Sequence, residues 1–571
     1  MGFTPTPAFT DIFDEPIPNL EDLLKNIPSE TCITFLAFIN AELYVKSDDN
    51  NTQFKILGIL LRRQEPVLRN KIIKKLTAKY KGVIFAKLYN LEFIHWELLN
   101  YRVFEASDGA AEADLNFLKA YLLIVERINI NYTDAIDKSI VNEDDDFFSI
   151  KTWPIIIEQI EVNHSIYPIP EMIKGMIFLN YLEHNSPYKE YVIQFLNKNG
   201  MKTGWDYVIG LSNLLESGWA NLNEKEGSGF YKFFLNKSDR YEYLLESLSL
   251  NIHEYKERYK KSKQNFTGFK DKPLYKIGEE QYLVLNWNYI TNKMYDGLLF
   301  DFYSNSGIKE NEKFTKFEDL KKYISSNITE KYTFQRIVKY IFKSRYAKVL
   351  FDNGTSNFPD AYVRNGKYIY LFELKDTYIS TDVINSYSYE KIKEHIDIKF
   401  NTKKKGIGQI VKQIKKLTEE PFEEKGYNEL NLKTRNIVIY PIIVYTDKFF
   451  RVYGINNYLK KEFRRRIDQE NLHQSFNGIR DLTFIDLTFF LDHLNVFSKI
   501  KLNDLIDYFH LELKKAEKRH FRNRSVESLW KENENFESIV IKKFNKDFDK
   551  DPNYIKEIIT TFNLTDNLPK G

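Results

Sequence analysis

The chain carries a single cysteine, Cys32, in 571 residues, which excludes an intramolecular disulfide and a thiolate metal cage. Set among Ile33, Phe35 and Leu36, it reads as core packing rather than as a nucleophile. Any metal must therefore be held by oxygen or histidine. The nine histidines are scattered, and His95 beside Trp96 and His493 between Asp492 and Leu494 read as structural or surface groups. No His-Glu-x-x-His helix is present, which makes zinc hydrolysis a poor fit. No Gly-x-Ser-x-Gly elbow appears, and without a Gly-x4-Gly-Lys-Ser/Thr phosphate loop an intrinsic ATPase motor is not supported. Long apolar runs are missing too: stretches such as 437–445 fall well short of the roughly 20 residues a membrane-spanning helix needs. Residues 1–11 lack the basic start and apolar stretch of a signal peptide, so the expectation is a cytoplasmic protein that makes no membrane contact. Charge of one sign is not in excess either. Lys and Arg number 83 against 80 Asp and Glu, a net +3, so binding to a polyanion would need local patches.

What is present is ordinary globular material, 43% hydrophobic, 15% aromatic and 29% charged, in a chain long enough for two to four domains at roughly 150 residues each. Residues 20–250 read as helices, for example 21–27 after Pro18-Asn19, 64–80 with Gly82 at its end, 111–128 and 155–161. No repeat of fixed period is visible. Glu143–Asp146 reads as an acidic loop, because four adjacent carboxylates without an opposed partner are not an organised metal site. Residues 1–265 are thus expected to form a mainly α-helical domain for recognition, regulation or assembly, through which a homo-oligomer or a partner protein would be engaged. A polar, basic stretch at 255–272, with Gly268, marks the boundary. Beyond it, 274–277 and 281–285 read as a hairpin around 278–280, and Asn288 as the cap of a short helix that Gly297 stops. An amphipathic helix follows at 331–345, with Phe334, Ile337, Val338 and Ile341 on one face.

Phe358-Pro359-Asp360-Ala361-Tyr362-Val363-Arg364 then runs into Asn365-Gly366, a dipeptide suited to a type I′ turn because both positions tolerate φ > 0. The return strand, 367–375, is rich in β-branched and aromatic residues until Glu373 and Lys375 appear near its end. If Arg364 pairs with Lys367, Asp360 falls opposite Leu371. Opposed residues share a face and side chains alternate, so Asp360, Glu373 and Lys375 are expected to converge while Phe372 and Leu374 point away. Two carboxylates a few ångströms apart repel, and burial raises the cost. A divalent cation resolves the conflict: hard oxygen ligands suit Mg²⁺, with Mn²⁺ as its substitute, and the backbone carbonyl of Leu374 is a third candidate ligand. Lys375 would then stand beside the attacking water, to orient or deprotonate it.

Pro359-Asp360, a spacer of twelve residues and Glu373-Leu374-Lys375 resemble the signature of the PD-(D/E)XK nuclease superfamily, the restriction-endonuclease-like fold. The resemblance covers about 330–486 and says nothing of 1–265. It implies an αβββαβ core, and hence a multidomain chain: the α-helical N-terminal domain plus an α/β restriction-endonuclease-like C-terminal domain at 266–571, with a mixed central sheet flanked by helices and a C-terminal helical extension. The stretch from Lys405 to Leu417 is similar to the helix that follows the motif in relatives and carries a glutamine facing the site. Gln409 is the first catalytic candidate there and Gln413, one turn later, the second. Residues 435–445 supply the next strand. Many relatives place a Glu on the first helix; Glu330 and Gln335 are both available here and neither is assigned. The connection 376–404 is either a substrate-contacting insertion offering Tyr387, Tyr389 and Lys391, or a local structural helix.

Lys403, Lys404, Lys405 and Lys412 are the candidate nucleic-acid contacts. The runs 460–466 and 514–524 are further basic patches, each of which alone reads as a solvated helix face. The resemblance implies a Mg²⁺-dependent endonuclease hydrolysing phosphodiester bonds, of DNA before RNA, as is frequent in bacterial anti-phage and restriction systems. The alternative is a non-catalytic nucleic-acid-binding or assembly protein with a degenerate nuclease fold, against which the intact Asp360, Glu373 and Lys375 argue. A third reading makes the helical half a sensor that restrains the nuclease.

Overall fold

The computed structural model describes residues 6–46, 50–79, 83–104, 109–138, 147–163, 167–223, 234–237, 241–260, 266–354, 357–419, 436–544 and 553–564. They form two compact units, one built from 1–137 and 161–315, the other from 138–160 and 316–568. No helix among the described residues is long and apolar enough to cross a membrane.

The first unit is mainly helical, as its periodicity predicts. The helices expected at 21–27, 64–80 and 111–128 appear as Leu20–Leu24, Pro66–Lys79 and Ala110–Lys138. The first is capped by Asn19, whose side chain accepts from the Glu21 N–H at 3.4 Å. Gly82 and the acidic run Glu143–Asp146 lie outside the described residues. Four strands, β1 (Phe234–Asn236), β2 (Ser249–Leu250), β3 (Leu274–Ile277) and β4 (Gln281–Val284), form one sheet in the order β1-β4-β3-β2. The expected hairpin is the β3–β4 pair, turned by Gly278 at φ +63°. Because β3 and β4 pair with strands that precede 255–272, that stretch does not separate the units. The boundary falls at 315/316 instead. Nor is Asn288 the cap: Asn286 is, accepting from the Asn288 N–H at 2.8 Å, while Asn288 is buried inside the helix Trp287–Asn292. Gly297 sits in the first turn of a new helix, Asp296–Asn305, and stops nothing.

The second unit opens with helix Phe317–Tyr323, which runs directly into a π-helix, Ile324–Phe334, and then into helix Gln335–Ile341. The amphipathic helix expected at 331–345 is the end of this rod. Its Phe334 and Phe342 rings lie 5.9 and 6.3 Å from that of Phe372. Three antiparallel strands follow, β5 (Ala347–Phe351), β6 (Ala361–Asn365) and β7 (Tyr368–Lys375). The connection 376–404 contains two helices, Thr381–Ile384 and Tyr389–Phe400. Helix Ile407–Glu419 then leads to β8 (Val438–Tyr445), parallel to β7, and β10 (Thr483–Asp486) extends the sheet parallel to β8, with the short β9 (Gly478–Ile479) also paired to β8. The sheet order is β10-β8-β7-β6-β5. All eight residues of β8 are buried, which explains its unbroken apolar run. Pro441 stands between the β9- and β10-paired parts of β8, so the residue without an N–H coincides with the break in the outer neighbour.

The core on one sheet face is completed by a helix from the N-terminal half. The helix expected at 155–161 runs Phe147–Asn163 with Pro154 inside it, and Ile150, Trp153, Ile157 and Ile160 join the buried cluster around Ile369, Leu371, Ile410 and Ile443. Trp153 donates through Nε1 to the Tyr453 carbonyl at 2.9 Å and lies 5.6 Å from the Tyr389 ring. Residues 1–265 are therefore not a separate domain: this apolar helix finds its partner surface in the second unit.

Candidate active site

The hairpin that carries the acidic residues turns one position later than expected. Asn365 pairs with Tyr368, which leaves Gly366 and Lys367 as the two turn residues. Only Gly366 takes positive φ, +61°. A lone glycine with positive φ at the first turn position is the type II′ pattern, not the I′ pattern assigned to Asn365-Gly366. Asp360 thus lies one step beyond the Ala361–Phe372 pair, level with Glu373 rather than with Leu371. The offset is two residues along the return strand, and side chains repeat every two residues, so the convergence of Asp360, Glu373 and Lys375 survives.

Glu373 is fully buried. Its Oε2 accepts from Lys375 Nζ at 3.0 Å and its Oε1 accepts from the Gln413 amide. Asp360 Oδ2 accepts from the Leu374 N–H at 2.6 Å. Lys375 Nζ also donates to Gln409 Oε1 at 2.8 Å, an oxygen that accepts in addition from the Gly406 N–H at 3.0 Å. Burial, then the charge of Asp360, push Glu373 up to about 7 against the pull of Lys375 and Gln413. Burial also raises Asp360, against Lys375 and the Leu374 N–H. The site is a crowded pair of carboxylates that one ammonium only partly neutralises.

Helix Ile407–Glu419 delivers both glutamines. Ile407, Ile410, Ile414 and Leu417 are buried, while Lys412 faces solvent. Gln409 and Gln413, four apart, share one helix side, and that spacing was the available signal that both would reach the site. Two glycines allow the loop before the helix. Gly406 has φ +58°, and a Cβ there would lie 2.2 Å from the Phe400 carbonyl oxygen; a Cβ on Gly408 would lie 2.1 Å from the Thr402 oxygen. Gly408→Ala must therefore move the loop, and the expected result is a loss of about 1–3 kcal/mol together with reduced activity as Gln409 leaves Lys375. A variant with the parent melting temperature and rate would refute this role for the loop.

Glu330, one of the two first-helix candidates, lies within reach of the Asp360 charge. Burial, then Asp360, raise it to about 7, opposed by Lys331 and Lys375. It sits in the π-helix, a rare conformation often found at functional sites. Gln335 begins the following α-helical segment. Asp352, not anticipated from the sequence, adds negative charge that raises both Glu330 and Asp360.

Lys403, Lys404, Lys405 and Lys412 are all exposed, and burial together with Lys405 lowers Lys399. In the run 460–466, Lys460, Arg464 and Arg466 are engaged within the fold, while Lys461 and Arg465 are exposed. Lys460 is buried, Arg464 pairs with Asp481 at 2.5 Å, Arg465 with Glu462 at 2.8 Å, and Arg466 donates to the Thr402 carbonyl at 3.0 Å. Tyr389 is buried and Tyr387 donates to Glu158 at 2.8 Å, so 376–404 is structural where those two tyrosines stand; Lys391 is exposed.

Among the described residues no group of three or more His, Cys, Asp and Glu side chains is arranged to hold a metal ion. No family model matches the chain, and neither a curated protein nor a solved structure matches it.

Proposed function

We propose that the chain is a divalent-cation-dependent nuclease of the PD-(D/E)XK, restriction-endonuclease-like class, hydrolysing phosphodiester bonds of DNA. The observation that carries this reading is the pair of carboxylates, Asp360 and Glu373, both pushed toward protonation and sharing one partly buried lysine. Supporting it is the element order: a helical rod, three antiparallel strands, a glutamine-bearing helix and a strand parallel to the acidic one.

The donor set suits Mg²⁺ or Mn²⁺. Two acids with backbone and water oxygens suffice for these ions, and buried Gln413 Oε1 has no hydrogen-bond partner, as expected of an acceptor waiting for a coordinated water. Asp360 and Glu373 would hold the cation with the Leu374 carbonyl, and Glu330 would face it. When bound, the ion supplies charge neutralisation at the phosphate and a more acidic water. The protein groups do the rest. Lys375, steadied by Gln409, orients the attacking water; Gln413 fixes the Glu373 carboxylate; and Lys403, Lys404, Lys405 and Lys412 meet the phosphate backbone.

The test is cleavage of single-stranded, double-stranded and structured DNA and RNA in Mg²⁺ or Mn²⁺. Cleavage is expected on DNA, abolished by EDTA, and reduced on the order of 10²–10³-fold or more in Glu373→Ala and Lys375→Ala proteins that keep their fold. Undiminished cleavage in both variants would remove the site, and cleavage of RNA alone would change the substrate.

A further inference from the structure

Helix Leu502–Asn523 crosses one face of the second unit's sheet and then leaves it. Tyr370 on β7 donates to Asn503 at 3.1 Å, Tyr440 on β8 donates to Asp507 at 2.9 Å, and Thr483 on β10 bonds His510 Nε2 at 2.9 Å. β10 ends the sheet order, so residues 511–523, about 20 Å of helix at 1.5 Å per residue, run on past that edge. The apolar side stays inward, with Leu505, Phe509, Leu513 and Ala516 buried. The outward side carries Lys514, Lys515, Lys518, Arg519 and Arg522, all exposed, and exposed Arg524 closes the helix.

Helical spacing sets 514, 518 and 522 in one row and 515 and 519 in the next. Lys514–Lys518, Lys518–Arg522 and Lys515–Arg519 are therefore like-charged neighbours four residues apart, an arrangement that weakens a helix. Solvated faces elsewhere in the unit pair their cations, as Lys531 with Glu527 and Arg465 with Glu462. Here, among the described residues, the only ion pair joins Lys515 to Glu512, at 2.6 Å. The helix dipole favours cations in the last turn, which covers Arg522 but not Lys514, Lys515 and Lys518 further back. Two more features mark the tip. Phe521, three residues after Lys518 and beside the same row, is 87% exposed. Arg524 takes φ +45°, a left-handed position that glycine usually fills.

We propose that 514–524 is a docking surface for single-stranded nucleic acid, in which the cations take successive phosphates and Phe521 stacks on an unpaired base. Cations of the 514–518–522 row advance about 6 Å per step, which suits the phosphates of one strand. Cationic rows with an exposed aromatic ring are how proteins hold single strands, whereas a duplex hides its base faces from the ring. A lipid surface fits less well, because an interfacial helix turns its apolar side to the bilayer and here that side is committed to the core. The outward apolar residues Leu511 and Phe521 lie ten positions apart among the cations. This surface would act whether or not Asp360 and Glu373 hydrolyse the strand.

Anisotropy of a fluorescent oligothymidylate, titrated with the full chain in EDTA at several salt concentrations, reads binding without cleavage. The triple variant Lys514→Gln, Lys518→Gln, Arg522→Gln is expected to bind at least about tenfold more weakly. Its slope of log affinity against log salt should be shallower by about 2, at roughly 0.7 per phosphate contact of a single strand. Phe521→Ala should lose about 5–100-fold, the usual effect of removing a stacking ring, with the salt slope unchanged, and Phe521→Trp should restore the affinity. All four side chains are exposed, so the melting temperatures should match or exceed the parent's. A parent chain that binds no oligothymidylate, or a triple variant with the parent affinity and slope, overturns the proposal. Phe521→Ala at the parent affinity overturns the assignment to a single strand. Binding to phosphatidylserine-containing vesicles that the triple variant abolishes, with oligothymidylate binding intact, would give the surface to lipid instead.

Discussion

Glu373→Gln is expected to abolish cleavage and, in the same protein, to raise its thermal stability in chelator at neutral pH. The two effects have one cause. Glu373 titrates near 7 in the folded chain, above its ordinary 4.5, because burial and Asp360 penalise its charge. A carboxyl raised in this way favours folding fully below about pH 4.5, and that contribution is lost as pH rises through about 7. The metal-free protein bears that cost at pH 7 and above. Glutamine keeps the shape, and its amide oxygen still accepts from Lys375 or Gln413, but it carries no charge. Melts in EDTA at pH 5 and pH 8 should show the parent losing stability between them and the variant losing less, by several degrees. Glu330, also raised to about 7, adds to the parent slope in the same direction. A variant no more stable than its parent at pH 8 would mean that the Glu373 charge is not strained, and would remove the main physical reason for placing a cation there.

Trp153→Ala is expected to destabilise the second unit by about 3–5 kcal/mol, the usual cost of truncating a large buried aromatic. The indole is fully buried, bonded to the Tyr453 carbonyl and packed on Tyr389 and Tyr458. The loss should appear in one transition of a urea melt and leave the other in place. The same packing predicts that a fragment of 266–571 does not reach the native second unit, because it lacks Ile150, Trp153, Ile157 and Ile160. Any test of restraint by the first unit must therefore retain 138–163. A fragment of 266–571 with the melt of the second unit in the full chain would show that this helix is dispensable.

Local features were legible in the sequence to the extent that they depend on backbone alternation. The helical first half, the β3–β4 hairpin and the convergence of Asp360, Glu373 and Lys375 follow from periods of 3.6 and 2. The turn position was off by one, because Asn365-Gly366 and Gly366-Lys367 are both workable turns and the choice between them is made by the pairing of whole strands. The error was harmless to the site for the same periodic reason. The absence of a boundary within 255–272 was settled by strand pairing across it, while the cap at 286 rather than 288 is a local bond to the Asn288 N–H.

By itself, then, the sequence determined which side chains of one hairpin share a face, and excluded thiolate, zinc-helix and phosphate-loop chemistry by what it lacks. Only the tertiary structure decided that Glu330 comes within reach of the Asp360 charge, that Gln413 donates to Glu373 while Gln409 accepts from Lys375, that Lys460, Arg464 and Arg466 are engaged within the fold, and that Trp153 belongs to the second unit. The physical reason is range. Alternation along a strand is a property of adjacent residues, whereas burial, the repulsion that burial amplifies and the partner of an apolar helix face depend on segments brought together from tens to hundreds of residues apart.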